Sequence, residues 1–385
     1  MEVGERRTLW TLYAINFLNA VGMWFFLPLL PIFLGRKGSS PALIGIVFAA
    51  GLLANAVIRY PAGWLADRYG TRPVMLGAML ATAALFLTYL LPMPPAAFIV
   101  VRVLQGCASG AFLPAANGLL ADVTEPRERG RAFGMMQSVF LAGMLIGPAA
   151  GGFIALFNFG LIFISASAAA VVAALALSTL PNARVHPAVE APVRALRIAR
   201  GLVPLILLGA GTSYMIGTYD TIWPLYMTFR GANTFAVGLS FVAFAVPATF
   251  LSSFAGALGD RFGPRRFVVI ALVNTGLFAA VYPFVASVPW LIGLGLIEGI
   301  FTISGTPSLL AEVSRTAGPG HQARTQGVFQ TVQMLVQIVG AVAGGTLFGL
   351  SPTYSFLAIT VVCLLGAATV LVPAAPRARQ AAETP

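Results

Sequence analysis

Runs of about twenty apolar residues recur along this chain, and that is the length a helix needs to cross a hydrocarbon core about 30 Å thick. Inside lipid only helices and closed barrels satisfy their own backbone groups. The runs lack the strict alternation of a barrel strand, so they predict helices. Twelve spans are expected, over residues 8–34, 42–66, 73–92, 95–122, 131–156, 159–180, 202–228, 234–258, 265–286, 289–313, 325–349 and 352–373. The split between the third and fourth rests on Pro92, Pro94 and Pro95 and not on a polar loop. With 58% hydrophobic and 9% charged residues, the composition excludes an ordinary soluble domain.

The net charge of +11 reports topology and not affinity for nucleic acid. Of the 23 Lys and Arg, 18 fall on the side of the twelve spans that carries both termini, while Arg36, Lys37 and Arg230 fall on the other. Arg59 and Arg102 lie within helices. By the positive-inside rule the termini are expected in the cytoplasm, and the protein in the cell (inner) membrane. No cleavable signal peptide is read at the first span. Cys107 and Cys363 both sit within spans, so neither a disulfide framework nor a zinc site is suggested, and His186 and His321 have no partner at metal spacing.

A repeat organises the chain. "GWLADRYGTRP" runs from Gly63 to Pro73, and "GALGDRFGPRR" from Gly256 to Arg266, an offset of 193 residues. The same offset carries Pro31 to Pro224, Gly45 to Gly238, Gly106 to Gly299, Pro114 to Pro307, Gln137 to Gln330 and Gly147 to Gly340, with no insertion. Two six-helix units are therefore expected, residues 1–180 and 201–385, joined by a polar linker over 181–200. Six is even, so both units enter the membrane in the same direction. Parallel repeats with a binding site between the halves are one transporter architecture.

On these features the chain resembles the major facilitator superfamily over essentially its whole length, and within it the twelve-helix drug/proton antiporter branch. The implied fold is all-α and integral to the membrane, with twelve transmembrane helices in two parallel six-helix repeats. The repeated phrase resembles the superfamily's signature loop between the second and third helices. Gly70 and Gly263 suit a backbone that ends a helix at positive φ, and Pro73 and Pro264 suit the first turn of the next. By resemblance Gly63, Asp67, Arg68, Gly70 and Arg72, with Asp260, Arg261 and Gly263, form a latch that holds the halves together when the cavity faces outward, and Asp122 is its partner. Thr71 and Pro264 stand where the family pattern usually has a basic residue, which weakens the latch. A sharp loop and topology anchor is the alternative reading.

The fourth span reads "RVLQGCASG", and its Arg102, Gln105 and Gly106 match the superfamily's second motif. A buried arginine is costly in a membrane and is expected to face the protein interior. By resemblance Arg102 is associated with proton transfer; tying helices together is the other reading. The fifth span reads "GMLIGPAAGG", with Gly143, Gly147, Pro148, Gly151 and Gly152 at the positions of a motif resembling the antiporter signature. Such small residues let two helix backbones approach closely, and the resemblance implies export.

Asp220 and Glu298 are the clear intramembrane acids, and Glu298 occupies the repeat slot of Gln105 (105 + 193). A carboxyl taken out of water is favoured in its neutral form, which suits it to carry a proton. Glu298 is expected as the main proton carrier, with Asp220 as a second carrier or a site for a cationic substrate; structural hydrogen bonding is the alternative for either. Candidate substrate contacts are Asn16, Asn19, Trp24, Asn117, Tyr219, Gln330 and Gln333. Gln326, Gln330, Gln333 and Gln337 share one face, lining a wet path or gluing the eleventh span to its neighbours.

The function expected is secondary active transport: proton-coupled export of small amphiphilic or drug-like molecules by alternating access, as a monomer. No cofactor is expected, the proton gradient being the energy source, and the partners are the substrate, protons and the bilayer, with no nucleic acid. A proton-independent facilitator or importer of sugars or metabolites and a lipid exporter are the rivals in transport. No catalytic constellation supports an enzyme.

Overall fold

A computed structural model of the chain describes residues 3–125, 127–180, 198–199, 201–316 and 322–369. Twelve helical rods follow one another among the described residues. The first, α1, is Val3–Phe26, continued through a 3-10 turn at Leu27–Leu29 into Leu30–Arg36. Pro28 and Pro31 lie at this junction, where each removes a backbone donor from the helix. Next come α2 (Pro41–Tyr69), α3 (Thr71–Thr88), α4 (Ala97–Asp122), α5 (Arg129–Phe157) and α6 (Phe159–Ser178). Beyond the linker are α7 (Val203–Phe229), α8 (Thr234–Phe262), α9 (Pro264–Val281), α10 (Val288–Thr316), α11 (Gln322–Leu350) and α12 (Pro352–Ala368). Eight of the described helical stretches are long and apolar enough to cross a membrane, and many of their large side chains, Leu53, Val100, Phe153 and Leu175 among them, are exposed. Exposed leucine and phenylalanine on helices of this length make a surface for lipid.

The third rod ends earlier than expected, at Thr88, and the fourth starts later, at Ala97. Proline at 92, 94 and 95 takes eight residues out of helix instead of two. The linker over 181–197 and at residue 200 lies outside the described residues, as do the side chains of Asp260 and Arg261.

The 193-residue offset is legible in backbone and caps. Ser40 caps α2 by accepting from the Leu43 amide, and Asn233 (40 + 193) caps α8 by accepting from that of Ala236. Gly70 and Gly263 both have positive φ, 93° and 92°, with extended ψ of 155° and 121°. That region of backbone space is open essentially to glycine alone, so the signature loop is a glycine device twice over.

Packing repeats in the same way. In the first half α1 packs on α5 and α6, α2 on α4, and α3 on α4 and α6; in the second α7 packs on α11 and α12, α8 on α10, and α9 on α10 and α12. Besides contacts of the Leu27–Arg36 end of the first rod with α7 and α8, two long seams join the halves, α2 with α11 and α5 with α8. Their close approaches are made by glycine: a Cβ at Gly152 would sit 2.5 Å from the Thr234 carbonyl, and one at Gly345 would overlap the Pro41 carbonyl. Gly45 abuts Ala341, and Gly238 abuts Pro148. All four lie toward the end that carries Arg36, Lys37 and Arg230. Toward the arginine-rich end a cavity of about 540 Å³ separates Arg59 of α2 from Thr212 and Ser213 of α7 and Gln330 and Gln333 of α11.

Candidate functional site

A second cavity, of about 320 Å³, lies deeper between the halves. Trp24 of α1 and Leu141, Met144 and Pro148 of α5 form one wall. Met215, Ile216, Tyr219, Asp220 and Trp223 of α7 form another, with Phe241, Phe244 and Ala245 of α8 and Gly295 and Glu298 of α10 opposite. Ile216 borders both cavities, so the deep one adjoins the one toward the arginine-rich end.

The lining is apolar apart from a few placed groups. Glu298 is 1% exposed, and each carboxyl oxygen has its own donor: the Tyr282 hydroxyl gives to Oε2 at 2.6 Å and the Tyr219 hydroxyl to Oε1 at 3.3 Å. The tyrosines belong to an aromatic cluster with Trp223, Tyr226 and Phe356; Trp223 and Tyr282 are 4.8 Å apart between ring centres. Trp223 donates its indole N–H to Ser240 Oγ at 2.9 Å, so the wall is fixed by a bond from α7 to α8. Gln337 Nε2 donates to Asp220 Oδ2 at 3.5 Å.

Glutamine stands at the equivalent place in the first half. Tyr89 (89 + 193 = 282) donates to Gln105 Oε1 at 2.9 Å, and Arg102 Nη1 donates to the same oxygen at 3.3 Å. The Arg102 guanidinium lies 5.7 Å from the Phe26 ring centre and 5.6 Å from that of Phe48. Gly51 makes room for it, since a Cβ there would be 2.9 Å from Nη2. Arg102 Nε and Gln105 Nε2 are buried without a partner among the described residues. Arg102 of the first half and Asp220 of the second are opposite charges that make no ion pair within 4.0 Å.

Other expected site residues divide. Tyr219, Trp24, Asp220 and Glu298 meet at the deep cavity, and Gln330 and Gln333 at the other. Gln333 is also engaged: it accepts from Ser213 at 2.8 Å and donates to the Ile206 carbonyl. Gln326 donates to the Leu310 carbonyl and Ser314, gluing α11 to α10. Asn16 is 3% exposed, donates to the Met136 carbonyl at 2.9 Å, which ties α1 to α5, and lines neither cavity. Asn19 and Asn117 are partly buried and line neither cavity. Tyr282, Phe241 and Gly295 were not expected; the repeat offset from Tyr89, Phe48 and Arg102 is the signal that reaches them.

Gly143, Gly147 and Gly151 bring α5 onto α1: a Cβ at Gly143 would lie 2.6 Å from Ala20 Cβ, one at Gly147 2.5 Å from Trp24 Cβ, and one at Gly151 would overlap the Phe25 carbonyl. In the signature loops Asp67, Arg68 and Asp122 are exposed, and Arg68 lies over Trp64, 5.2 Å from its ring centre. Arg72 donates to the Ser178 carbonyl, and Arg265 pairs with Glu312 at 3.0 Å, both within their own halves. A Cβ at Gly63 would meet nothing within 4 Å.

The Major Facilitator Superfamily sequence model matches residues 12–233 and again residues 205–385. The chain belongs to this superfamily. It is a multi-pass membrane transporter with the superfamily's all-helical fold and a small-molecule substrate. It is 25% identical to Multidrug resistance protein 2 of Bacillus subtilis (strain 168) over 384 residues, 95% of each chain. Identity to the class C tetracycline resistance protein of Escherichia coli is 27% over 344 residues, 84% of this chain and 85% of that one. Among solved structures, a bacterial homolog of the human lysosomal transporter Spinster, inward-facing and occupied, matches with a TM-score of 0.80 at 15% identity, over 96% of this chain and 97% of the other.

Proposed function

We propose that this transporter exports small amphiphilic, drug-like molecules from the cytoplasm across the inner membrane in exchange for protons. It works as a monomer with cytoplasmic termini, and the proton gradient is the sole energy source. The names of its relatives, multidrug and tetracycline resistance proteins, support the direction and the substrate class. The observation that carries the coupling is Glu298: a carboxyl removed from water, held by two tyrosine hydroxyls, facing an apolar cavity between the halves.

A carboxyl in that setting is stable either as the neutral acid or, with both hydroxyls donating, as the anion. Substrate entering the cavity favours one protonation state over the other, and a proton leaves or returns as the halves rock. Asp220 is a second carrier, and Arg102 supplies a fixed positive charge on the opposite half. The glycine seams closed at the far end and the cavity toward the arginine-rich end support an inward-facing arrangement.

Proton release from proteoliposomes with an acidic lumen and a pH-sensitive dye tests this on adding cationic, zwitterionic and neutral amphiphiles. Substrate-triggered efflux of protons that disappears in Glu298→Gln is the expected result. Uptake of sugars or metabolites with no pH gradient, unchanged in Glu298→Gln, would overturn it.

A further inference from the structure

The repeat lays the two halves over one another residue by residue, and at one slot the first half holds a cation that the second lacks. Three side chains of the first half surround a single charge: the Arg102 guanidinium has Phe26 and Phe48 ring centres at 5.7 and 5.6 Å and Gln105 accepting at 3.3 Å. Adding 193 turns Phe26 into Tyr219, Phe48 into Phe241, Gln105 into Glu298 and Arg102 into Gly295. All four of these line the deep cavity.

The second half thus keeps the two aromatic walls, improves the acceptor from a neutral amide to a carboxyl, and deletes the side chain that would fill the space between. A Cβ at Gly295 would find only the Tyr282 hydroxyl, at 3.9 Å. No Lys or Arg is among the described residues lining the cavity, and Asp220 adds a second acid. Aromatic faces and a desolvated carboxylate together favour an organic cation.

We propose that Gly295 is a specificity-determining residue, and that the space it leaves takes the planar amidinium or guanidinium head of a lipophilic substrate, seated between Tyr219 and Phe241 against Glu298. The substrate's own cation occupies the place that Arg102 fills in the first half, and its apolar body lies along Trp223 and Phe244. This rests on the exporter reading for the site, and it adds the chemistry of the ligand.

The test is binding to the purified full chain, with 2-naphthamidinium as probe and the uncharged 2-naphthamide as its near-isostere, followed by quenching of tryptophan fluorescence. The amidinium is expected to bind at least about tenfold more tightly than the amide, the scale of a desolvated cation–π contact with a charge partner. Gly295→Arg, which tethers a cation in the slot, is expected to weaken amidinium binding by about tenfold or more, and to weaken amide binding by less. Equal binding of amide and amidinium, or undiminished amidinium binding by Gly295→Arg, overturns the assignment. If Gly295→Arg does not yield a folded protein, Gly295→Lys, which places a cation in the same slot, is read in the same way. Glu298-dependent proton release driven only by neutral amphiphiles leaves the exporter standing and the slot refuted. Gly295-dependent amidinium binding with no proton release by any amphiphile leaves the slot standing and the exporter refuted.

Discussion

The two halves build the same aromatic box and use its centre in opposite ways. Phe26, Phe33, Tyr89 and Phe163 pack together in the first half, with Tyr89 stacked on Phe163 at 4.8 Å; their repeat partners Tyr219, Tyr226, Tyr282 and Phe356 pack together in the second. In each box a tyrosine hydroxyl reaches a side-chain oxygen one helix away, Tyr89 to Gln105 and Tyr282 to Glu298. The first box faces a space plugged by Arg102, and the second faces a cavity. The comparison teaches that the same frame recurs in both copies and that two differences separate their centres, Gln105 against Glu298 and Arg102 against Gly295.

The largest effect is expected from moving the acid between copies. In the double variant Gln105→Glu/Glu298→Gln the new carboxyl lies beside Arg102, where an ion pair holds it, and the cavity has lost its own. Substrate-driven proton release is expected to fall by on the order of 100-fold, the contribution typical of a placed acid–base group. Recovery to near wild-type rate in the proteoliposome assay would show that the box, and not the half, makes the site.

Next in size are the seams, which are repeats of each other. Gly152→Val and Gly345→Val each drive a side chain into a backbone carbonyl of the opposite half. Overpacking of this kind costs about 1–3 kcal/mol. The cost falls on the arrangement closed at the far end, so a cysteine introduced at the deep cavity is expected to react faster with a membrane-impermeant thiol reagent added from the far side. Unequal effects of the two variants break the symmetry of the seams.

The hydroxyls give a smaller and more pointed test. Tyr282→Phe removes a donor to a carboxyl, and Tyr89→Phe removes a donor to an amide that Arg102 still serves. Hydrogen bonds to charged groups are worth about 1.5–3 kcal/mol and neutral ones about 0.5–1.5. Transport at fixed substrate concentration is expected to fall about tenfold in Tyr282→Phe and about twofold in Tyr89→Phe. Equal losses mean that the two boxes do the same structural work.

Much of this was legible in the sequence, because the spans are set by lipid thickness and the repeat by an offset without insertions. Glu298 and Asp220 stood out since acids are rare in such spans. What sequence left out was partnership. Asn16 lies on the correct helix for a substrate contact, yet its amide donates to the Met136 carbonyl, a bond between helices 120 residues apart that no local pattern announces. Tyr282 and Phe241 escaped notice because an aromatic residue in an apolar span carries no signal by itself. Phe48 and Tyr89, their repeat partners, carry the same silence, and only the three-dimensional box gives the offset a meaning.

Arg102 offers the smallest stability effect and the sharpest separation of roles. Arg102 is 5% exposed, and among the described residues its guanidinium makes one hydrogen bond at 3.3 Å, leaves Nε without a partner and has no carboxylate within 4.0 Å. A buried charge so thinly supported contributes little to folding, and replacing a buried charged group by a hydrophobe of similar volume is often neutral or stabilising by about 1–4 kcal/mol. Arg102→Met keeps the length and the contacts to Phe26 and Phe48, so its thermal unfolding in detergent is expected at or slightly above that of wild type. Proton-coupled transport, measured on the same preparation, is expected to fall, because the variant removes a positive charge that acts on Asp220 from the opposite half. A marked drop in unfolding temperature, with transport per folded molecule unchanged, would instead make Arg102 a plug that the first box needs for its packing, and would leave the coupling to the second half alone.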